Sequence, residues 1–250
     1  MEFDAARIQA ALVRFLGEHR TALSRAVNRH SQLLELGALT LSAEHYKRRG
    51  YTITPANLIR NRFRVKLSAS GYPKNFSWFC ANKHGLEFQI HANLPIQSYH
   101  DEGIYVVDVG VVVANKMPDS AKKYEYVKNE TLVTFVEAKK LVIYPMLIAQ
   151  FIGIVHEIKP QFIGGRRPRG FLQSGHFDPA LVAIGYIHER SRSRSILNGF
   201  SGRGIKVNVI PKFDWEISRF VRDPNRDSPF GPPALRDDTP QQDPAVATGG

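Results

Sequence analysis

One stretch of the chain limits the folds open to it more than any other. Residues Ile104–Val113 have the sequence IYVVDVGVVV, an almost unbroken run of β-branched and aromatic side chains. Such a run is typical of a strand covered on both faces, because a half-exposed strand alternates apolar and polar residues. The run also contains an acid, Asp108, and burying a carboxylate without a partner is costly. We therefore expect this strand inside a layered core, with a partner that compensates Asp108.

The elements around this run predict an α/β fold. Helical periodicity covers the first forty residues, and a second helix is predicted at 43–49, with Ser42 as its N-cap and Gly50 as its C-cap. A further helix begins at Pro145 and ends before Pro160. Strands are predicted at 51–54, 63–67, 76–81, 86–92, 132–136, 180–187 and 205–210. The expected fold class is α/β, with a mixed central sheet flanked by helices.

The chain divides into three predicted parts. Residues 1–38 are an N-terminal helical segment, 39–221 a globular domain, and 222–250 a flexible tail in which prolines crowd and apolar residues become rare. Hydrophobic residues make up 43% of the chain, which allows a sizeable core in the globular part. Residues 115–129 are predicted to be a polar, lysine-rich loop.

The charge balance favours a polyanionic partner. The formal net charge is +11, and nucleic acid is the commonest partner of so basic a chain. Residues 60–66 hold one basic run, and two basic loops hold arginines that could clamp phosphates, although an ordinary solvated face would have the same composition. The candidate phosphate-binding arginines are Arg166, Arg167, Arg169, Arg192 and Arg194.

Several classes of protein are disfavoured. Cys80 is the only cysteine, which excludes a disulfide framework and a multi-cysteine zinc site and favours a cytoplasmic location. No apolar run reaches the ~18 residues that would span a bilayer, and the N-terminus lacks the pattern of a signal peptide. The glycine-rich segment 199–204 lacks the lysine of a phosphate-binding loop.

A second acid and a lysine follow Asp108 at an informative distance. Glu137 and Lys139 belong to a Glu-Ala-Lys triplet some thirty residues later, at the end of the next apolar strand. Residues i and i+2 of a strand share a face, so these two side chains project together while Ala138 turns away. Two neighbouring carboxylates repel each other unless a divalent cation joins them, and oxygen ligands of this kind suit Mg²⁺.

An acid in one core strand and a Glu-x-Lys in the next, followed by a helix, resembles the PD-(D/E)xK nuclease superfamily. The resemblance covers residues 39–190 approximately and implies a restriction-endonuclease-like fold. It implies a metal-dependent endonuclease that hydrolyses phosphodiester bonds, with Asp108 and Glu137 as ligands of Mg²⁺, for which Mn²⁺ can substitute. In this interpretation Lys139 positions or activates the attacking water. The chain departs from the family pattern at Val107, where a proline is common.

The resemblance suggests two further positions. Members often carry an acid on the helix before the first core strand, and the candidates are Glu35 and Glu44, for each of which a surface role is the simpler explanation. Some families place a glutamine in the helix after the Glu-x-Lys. Gln150 has that place here. Two interpretations are equally supported by the sequence: contact with metal-bound water or substrate, and an ordinary solvated helix position.

Two classes of function remain open on these grounds, and a third possibility, a tRNA-processing or repair nuclease with the same centre, differs from the first only in substrate. The first is cleavage of DNA, with RNA as the other substrate, by the cutting subunit of a bacterial restriction or phage-defence system with partner proteins. The second is a non-catalytic nucleic-acid-binding or assembly module that keeps the fold and uses residues 5–36 to form homo-oligomers. Convergence of Asp108, Glu137 and Lys139 separates them, because carboxylates more than ~8 Å apart cannot share one hydrated Mg²⁺.

Overall fold

The Ile104–Val113 run lies at the centre of a seven-stranded sheet. A computed structural model describes residues 3–24, 27, 29–117, 126–187 and 191–231. Its helices are α1 (Ala5–Glu18), α2 (His30–Arg48), α3 (Pro145–Ile158), α4 (Arg192–Asn198) and α5 (Phe213–Arg222). Its strands are β1 (Ala22–Leu23), β2 (Thr52–Ala56), β3 (Arg62–Phe63), β4 (Trp78–Lys83), β5 (Leu86–Gln97), β6 (Ile104–Val113), β7 (Leu132–Lys139), β8 (Ala180–Ala183) and β9 (Asn208–Ile210).

The sheet is mixed, as the sequence predicts. Its order is β2-β4-β5-β6-β7-β8-β9, and the strands from β2 to β7 pair antiparallel with their neighbours. Strands β7, β8 and β9 pair parallel, with α3 in the connection from β7 to β8 and α4 in the next. The short strands β1 and β3 form a separate parallel pair. The expected α/β class with a mixed central sheet and flanking helices is therefore confirmed.

Apolar side chains cover both faces of the sheet. One core, which we call the first core, joins α1, α2 and α5 to the sheet, and a second core joins it to α3. A small third core, which includes Ile148, Ala183 and Phe200, lies where α3 and α4 meet β8. No helix within the described ranges is long and apolar enough to cross a bilayer.

The second helix is longer than the sequence predicts. Ser42 is not an N-cap: it lies inside α2, is fully buried, and its hydroxyl donates to the Ala38 carbonyl oxygen at 2.9 Å. Every turn of the helix from Leu33 to Tyr46 has buried side chains, and this burial outweighs the local preference of a serine for a helix start. The predicted boundary between residues 38 and 39 falls inside this helix.

One prediction about the C-terminal third is wrong, and a second is wrong for ten of its residues. The Ser-Arg alternation from Ser191 is the start of helix α4, where the Ser191 hydroxyl accepts from the Arg194 backbone N–H at 3.2 Å. Residues 222–231 of the predicted flexible tail are ordered by aromatic packing. Phe230 is buried and stacks on Phe177 with ring centroids 4.2 Å apart, and the Asn208 amide donates to its carbonyl oxygen. Residues 232–250 of that tail lie outside the described ranges, as do residues 118–125 of the predicted lysine-rich loop.

The β5–β6 hairpin changes faces part-way along its length. Asn93 has a φ of +48°, a left-handed conformation that asparagine tolerates better than most residues. The pairing keeps one register across it, from Ala92↔Val109 to Leu94↔Val107, so no residue is inserted. Side chains nonetheless move from one core to the other. Phe88, Ile90, Ala92, Val109 and Val111 belong to the first core, whereas Leu94, Ile96 and Val107 belong to the second.

A buried lysine secures this face switch. Lys66 is 2% exposed, and its ammonium donates to the carbonyl oxygens of Ser68 at 2.7 Å, Ala69 at 2.9 Å and Asn93 at 2.6 Å. The Asn93 amide donates back to the Lys66 carbonyl oxygen at 3.0 Å. Burial lowers the pKa of Lys66 to about 8. Three carbonyls replace the water that this charge loses, and they tie the segment after β3 to β5.

Three buried histidines predict a loss of stability in mild acid, and burial lowers the pKa of one of them, His91, to about 3. Burial lowers the pKa of His45 and of His176 from 6.5 to about 4 each. Because the unfolded chain takes up these protons at higher pH than the folded chain does, acid favours unfolding between pH 6.5 and about 4. We expect the free energy of unfolding to fall in that window by about 1.4 kcal/mol per pH unit for each histidine.

Urea denaturation at a series of pH values measures this loss. His176→Gln keeps a polar partner for the Tyr46 hydroxyl, which lies 2.7 Å from His176 Nδ1, and should make the slope shallower. His84→Gln, at an exposed position in the β4–β5 turn, is the control and should leave the slope unchanged. A slope that is equal in both variants would contradict the assignment.

Candidate active site at the β6–β7 junction

The three charged residues of the predicted site meet at one point. The Lys139 ammonium lies 3.2 Å from Asp108 Oδ2 and 2.7 Å from Glu137 Oε2. Those two oxygens are therefore no farther apart than the sum of these distances, which is below the ~8 Å limit for a shared hydrated Mg²⁺. We call Asp108 and Glu137 the carboxylate pair.

The pairing of the strands explains this convergence. The last registered pair of β6 and β7 at this end is Val109↔Val136, and the Ala138 backbone N–H then donates to Asp108 Oδ2 at 2.7 Å. A side-chain oxygen thus takes the place of a ladder carbonyl where β6 passes the face switch. Ala138 packs against the first core, so it turns away from its two charged neighbours, as the alternation of a strand requires.

Burial makes Glu137 the least favourably placed charge of the three. Glu137 lies opposite Leu181 of β8 in the parallel pairing, and the residue is 3% exposed. Burial first, and then repulsion by Asp108, raise the pKa of Glu137 to about 7, although Lys139 acts to lower it. Its Oε1 atom is buried and has no hydrogen-bond partner among the described residues. A buried acceptor without a donor is costly, which marks this atom as a place for a further ligand.

Lys139 is held in its charged form. Burial acts to lower the pKa of its ammonium, but the charges of Glu137 and Asp108 outweigh burial and raise the pKa well above the usual range. The ammonium therefore remains positive at any pH at which the fold persists, and it offsets one of the two negative charges of the carboxylate pair.

A third carboxylate lies close to the pair. The Asn93 amide donates to Glu35 Oε2 at 2.9 Å, so helix α2 faces the hairpin at its face switch. Burial raises the pKa of Glu35; the Asn93 hydrogen bond opposes the shift, and the charge of Asp108 adds to it. The other helix candidate, Glu44, is paired instead with the Arg48 guanidinium at 3.1 Å.

Gln150 stays unassigned. It is exposed on α3, and its side chain makes no hydrogen bond with the described residues. The structure gives it a solvated helix position, and its predicted contact with substrate or metal-bound water remains a prediction.

The five candidate arginines lie at two ends of the sheet. Arg192 and Arg194 belong to α4, whose Ser193 hydroxyl donates to the Ile143 carbonyl oxygen just after β7, so they share the end of the sheet at which Lys139 lies. The other three lie in the loop around Gly165, which packs against Gly204 before β9, at the opposite ends of these strands. In that loop Arg167 is bound to Asp178 by a salt bridge, whereas Arg166 and Arg169 are exposed.

Lys66 and Asn93 are the residues that the sequence did not reveal. Lys66 belongs to the basic run at 60–66, whose composition suggests phosphate binding, but its ammonium is enclosed by three carbonyls. That interpretation of Lys66 is therefore wrong. Asn93-Leu94-Pro95 interrupts the apolar pattern of β5, and this interruption was the only signal of the face switch.

Exposed apolar side chains surround this end of the sheet. They occur in the segment after β7 and in the segment after β8, which meet where the Gly185 backbone N–H donates to the Leu141 carbonyl oxygen. Ligands often bind beyond the carboxyl ends of parallel strands, where both segments lie. The side chains concerned are Leu141, Val142, Tyr144, Met146 and Tyr186, each at least 38% exposed.

The carboxylate pair offers few protein ligands to a metal. Among the described residues, one group alone brings three histidine, cysteine or acidic ligand atoms within 4.8 Å of one another, and it is His100, His156 and Glu157. Asp108 and Glu137 would thus supply two oxygen ligands, which is the number that Mg²⁺ commonly takes from a protein, with water and phosphate completing the set. The donor chemistry fits this ion.

Comparison of the chain with protein-family models, with curated proteins and with solved structures found no match. The function must therefore be inferred from the geometry of the site and from the sequence pattern.

The electrostatics of Glu137 can be tested by two substitutions with opposite effects. Lys139→Met removes the neighbouring positive charge and should raise the pKa of Glu137 above its value of about 7. Asp108→Asn removes a neighbouring negative charge at nearly constant volume and should lower it. Carbon NMR of the side-chain carboxyl measures both shifts, and a change of the same sign in both variants would contradict the arrangement.

Proposed function

We propose that the protein is a metal-dependent nuclease that hydrolyses phosphodiester bonds, with DNA as the favoured substrate. One observation carries the proposal: the Lys139 ammonium contacts both Asp108 and Glu137, on neighbouring strands, at 3.2 and 2.7 Å. Two carboxylates and a lysine in one place are the groups that such a reaction needs, and they are the three residues that the sequence motif selects.

Mg²⁺ is the metal that these residues fit. The unpartnered Glu137 Oε1 and the carboxylate of Asp108 provide hard oxygen ligands, and the single ammonium of Lys139 offsets one of the two negative charges of the pair. When bound, the ion would supply the positive charge that lowers the pKa of water and neutralises charge developing on the phosphate. Mn²⁺ suits the same oxygen ligands.

The protein's own groups have separate tasks in this proposal. Lys139 holds a proton permanently and can therefore orient the attacking water and stabilise negative charge, but it cannot act as the base. The Ala138 N–H fixes the orientation of the Asp108 carboxylate by its hydrogen bond to Oδ2. Glu35, whose pKa burial raises, lies near enough to influence the pair and is the third acid of the site.

The order of elements supports a restriction-endonuclease-like fold for the same region. Helix α2 precedes the β5–β6 hairpin, β7 carries Glu-Ala-Lys, and α3 leads to the parallel strand β8. This order is the one that the sequence resemblance implies. A role as the cutting subunit of a bacterial restriction or phage-defence system, acting with partner proteins, is a fold-level analogy.

The surface beside the site favours a substrate with accessible bases. Tyr144 and Tyr186 are exposed there, and aromatic rings stack on bases of any sequence. Arg192 and Arg194 on α4 lie at the same end and suit phosphates. We therefore expect single-stranded or locally opened DNA to be cut faster than intact duplex.

Cleavage assays test the proposed reaction. Purified protein should nick plasmid and cut single-stranded DNA in Mg²⁺ or Mn²⁺ but not in EDTA. Asp108→Asn and Lys139→Met should each lower the rate by at least about 10²-fold, because each removes charge stabilisation from the reaction centre. Glu87→Gln, on the exposed start of β5, is the matched control and should cut like the wild type.

Three results would count against this assignment in different ways. Cutting that survives both site substitutions would place the reaction elsewhere. DNA binding without cutting in any metal would favour the alternative, a non-catalytic binding or assembly module. Cleavage of RNA but not DNA would keep the site and change the substrate.

Binding measurements test the arginines separately from cleavage. Arg192→Ala and Arg194→Ala should weaken DNA binding, and removing one arginine–phosphate ion pair should reduce the slope of log affinity against log salt by about 1. Arg166→Ala and Arg169→Ala, at the far ends of β8 and β9, should have smaller effects. Arg219→Ala on α5, in the layer on the opposite face of the sheet, is the control. An equal decrease of affinity in all five variants would indicate a non-specific effect of charge.

A further inference from the structure

The C-terminus of α3 is closed by groups from outside the helix. The last four carbonyl groups of a helix have no partner within it. Here the Val155 oxygen accepts from the N–H of the C-cap residue Lys159, as in the helix itself, and the Ile158 oxygen accepts from the Asn129 amide. The other two belong to His156 and Glu157, and both are bound by the loop at 98–103 that joins β5 to β6: the Tyr99 N–H donates to the Glu157 carbonyl at 2.7 Å.

Three potential metal ligands meet where this loop touches the helix. One ligand atom from each of His100, His156 and Glu157 lies within 4.8 Å of the other two. His100 and His156 stack with ring centroids 4.8 Å apart, and His156 Nδ1 lies 3.7 Å from Glu157 Oε1. Both imidazoles are exposed, so small side-chain rotations could bring the three atoms to the ~2.0–2.2 Å bond lengths of a metal site.

Hydrogen bonds constrain two of these three side chains. His100 Nε2 lies 3.2 Å from the His156 carbonyl oxygen, and because a carbonyl only accepts, Nε2 carries the proton and Nδ1 the lone pair. Metal-binding histidines typically donate their second N–H to a carbonyl in this way. The Ser98 hydroxyl donates to Glu157 Oε2 at 3.5 Å, which leaves Oε1 on the side of His156.

We propose that His100, His156 and Glu157 form a second metal site, which takes Zn²⁺ and clamps the 98–103 loop to the end of α3. Two imidazoles and one carboxylate are a ligand set that Zn²⁺ accepts with water in the fourth position. Mg²⁺ prefers oxygen ligands alone, so the two sites of the protein select different ions.

The local charge favours a cation at this place. The C-terminal end of a helix carries partial negative charge, and the adjoining loop adds Asp101 and Glu102 to the carboxylate of Glu157. The site shares no residue with the carboxylate pair and does not depend on the proposed nuclease function.

Zn²⁺ titration in excess Mg²⁺ tests the proposal, because Mg²⁺ then competes at the carboxylate pair. The protein for this test carries Asp108→Ala, which removes one ligand of that pair. Calorimetry should find one Zn²⁺ per chain. Adding His100→Ala, His156→Ala or Glu157→Gln should raise the Kd for Zn²⁺ at least about tenfold. The matched control is His84→Ala, another exposed histidine, which should leave the Kd unchanged.

Hydrogen exchange supplies a readout that does not depend on affinity alone. Zn²⁺ should slow amide exchange in the 98–103 loop of the His84→Ala control and leave it unchanged in the Glu157→Gln variant, which keeps the size of the side chain. The proposal is overturned if the three ligand variants bind Zn²⁺ as the control does, or if Zn²⁺ binds without protecting the loop.

Discussion

The arrangement of this fold depends on one hydrogen bond, which the Lys66 ammonium donates to the Asn93 carbonyl oxygen at 2.6 Å. It holds Asn93 at a positive φ, and the β5–β6 hairpin there passes from the core under α1, α2 and α5 to the core under α3. A single hairpin therefore contributes to both layers of the protein. Without this switch, Leu94 and Ile96 would face the wrong side of the sheet, because neighbours two apart on a regular strand share a face.

The same switch determines where the charges of the site can lie. Asp108 sits on β6 at the level of Asn93, where the ladder to β7 ends and the Ala138 N–H is free to bind a side chain. Glu137 extends from β7 into a region that burial makes unfavourable for its charge, and Lys139 offsets this cost. The fold thus contains one place at which the burial of a charged group is unfavourable. Such places are common where groups are arranged for chemistry.

The sequence predicted the parts of this structure that depend on local pattern. The β6 run, the Glu-Ala-Lys strand and the helix from Pro145 could be recognised because each has a clear periodicity or a clear start signal. The convergence of Asp108 with Glu137 and Lys139 followed from strand alternation and one assumed pairing. What failed depends on contacts between distant segments: Ser42 is helical because its neighbours are buried, and the Lys66 ammonium is enclosed by the Asn93 carbonyl of β5 together with two carbonyls of its own segment.

The aromatic stack of Phe230 on Phe177 sets the length of chain that a minimal fragment must keep. A fragment that stops at Val221, where the composition changes, would leave the Phe177 ring and the end of α2 open to water, since the Ser228 hydroxyl also bonds to the His45 ring there. One that continues to Gly231 would retain this cover. The start of the proline-rich segment is therefore a misleading boundary for shortening the protein. The first ten residues of that segment cover one end of the folded domain.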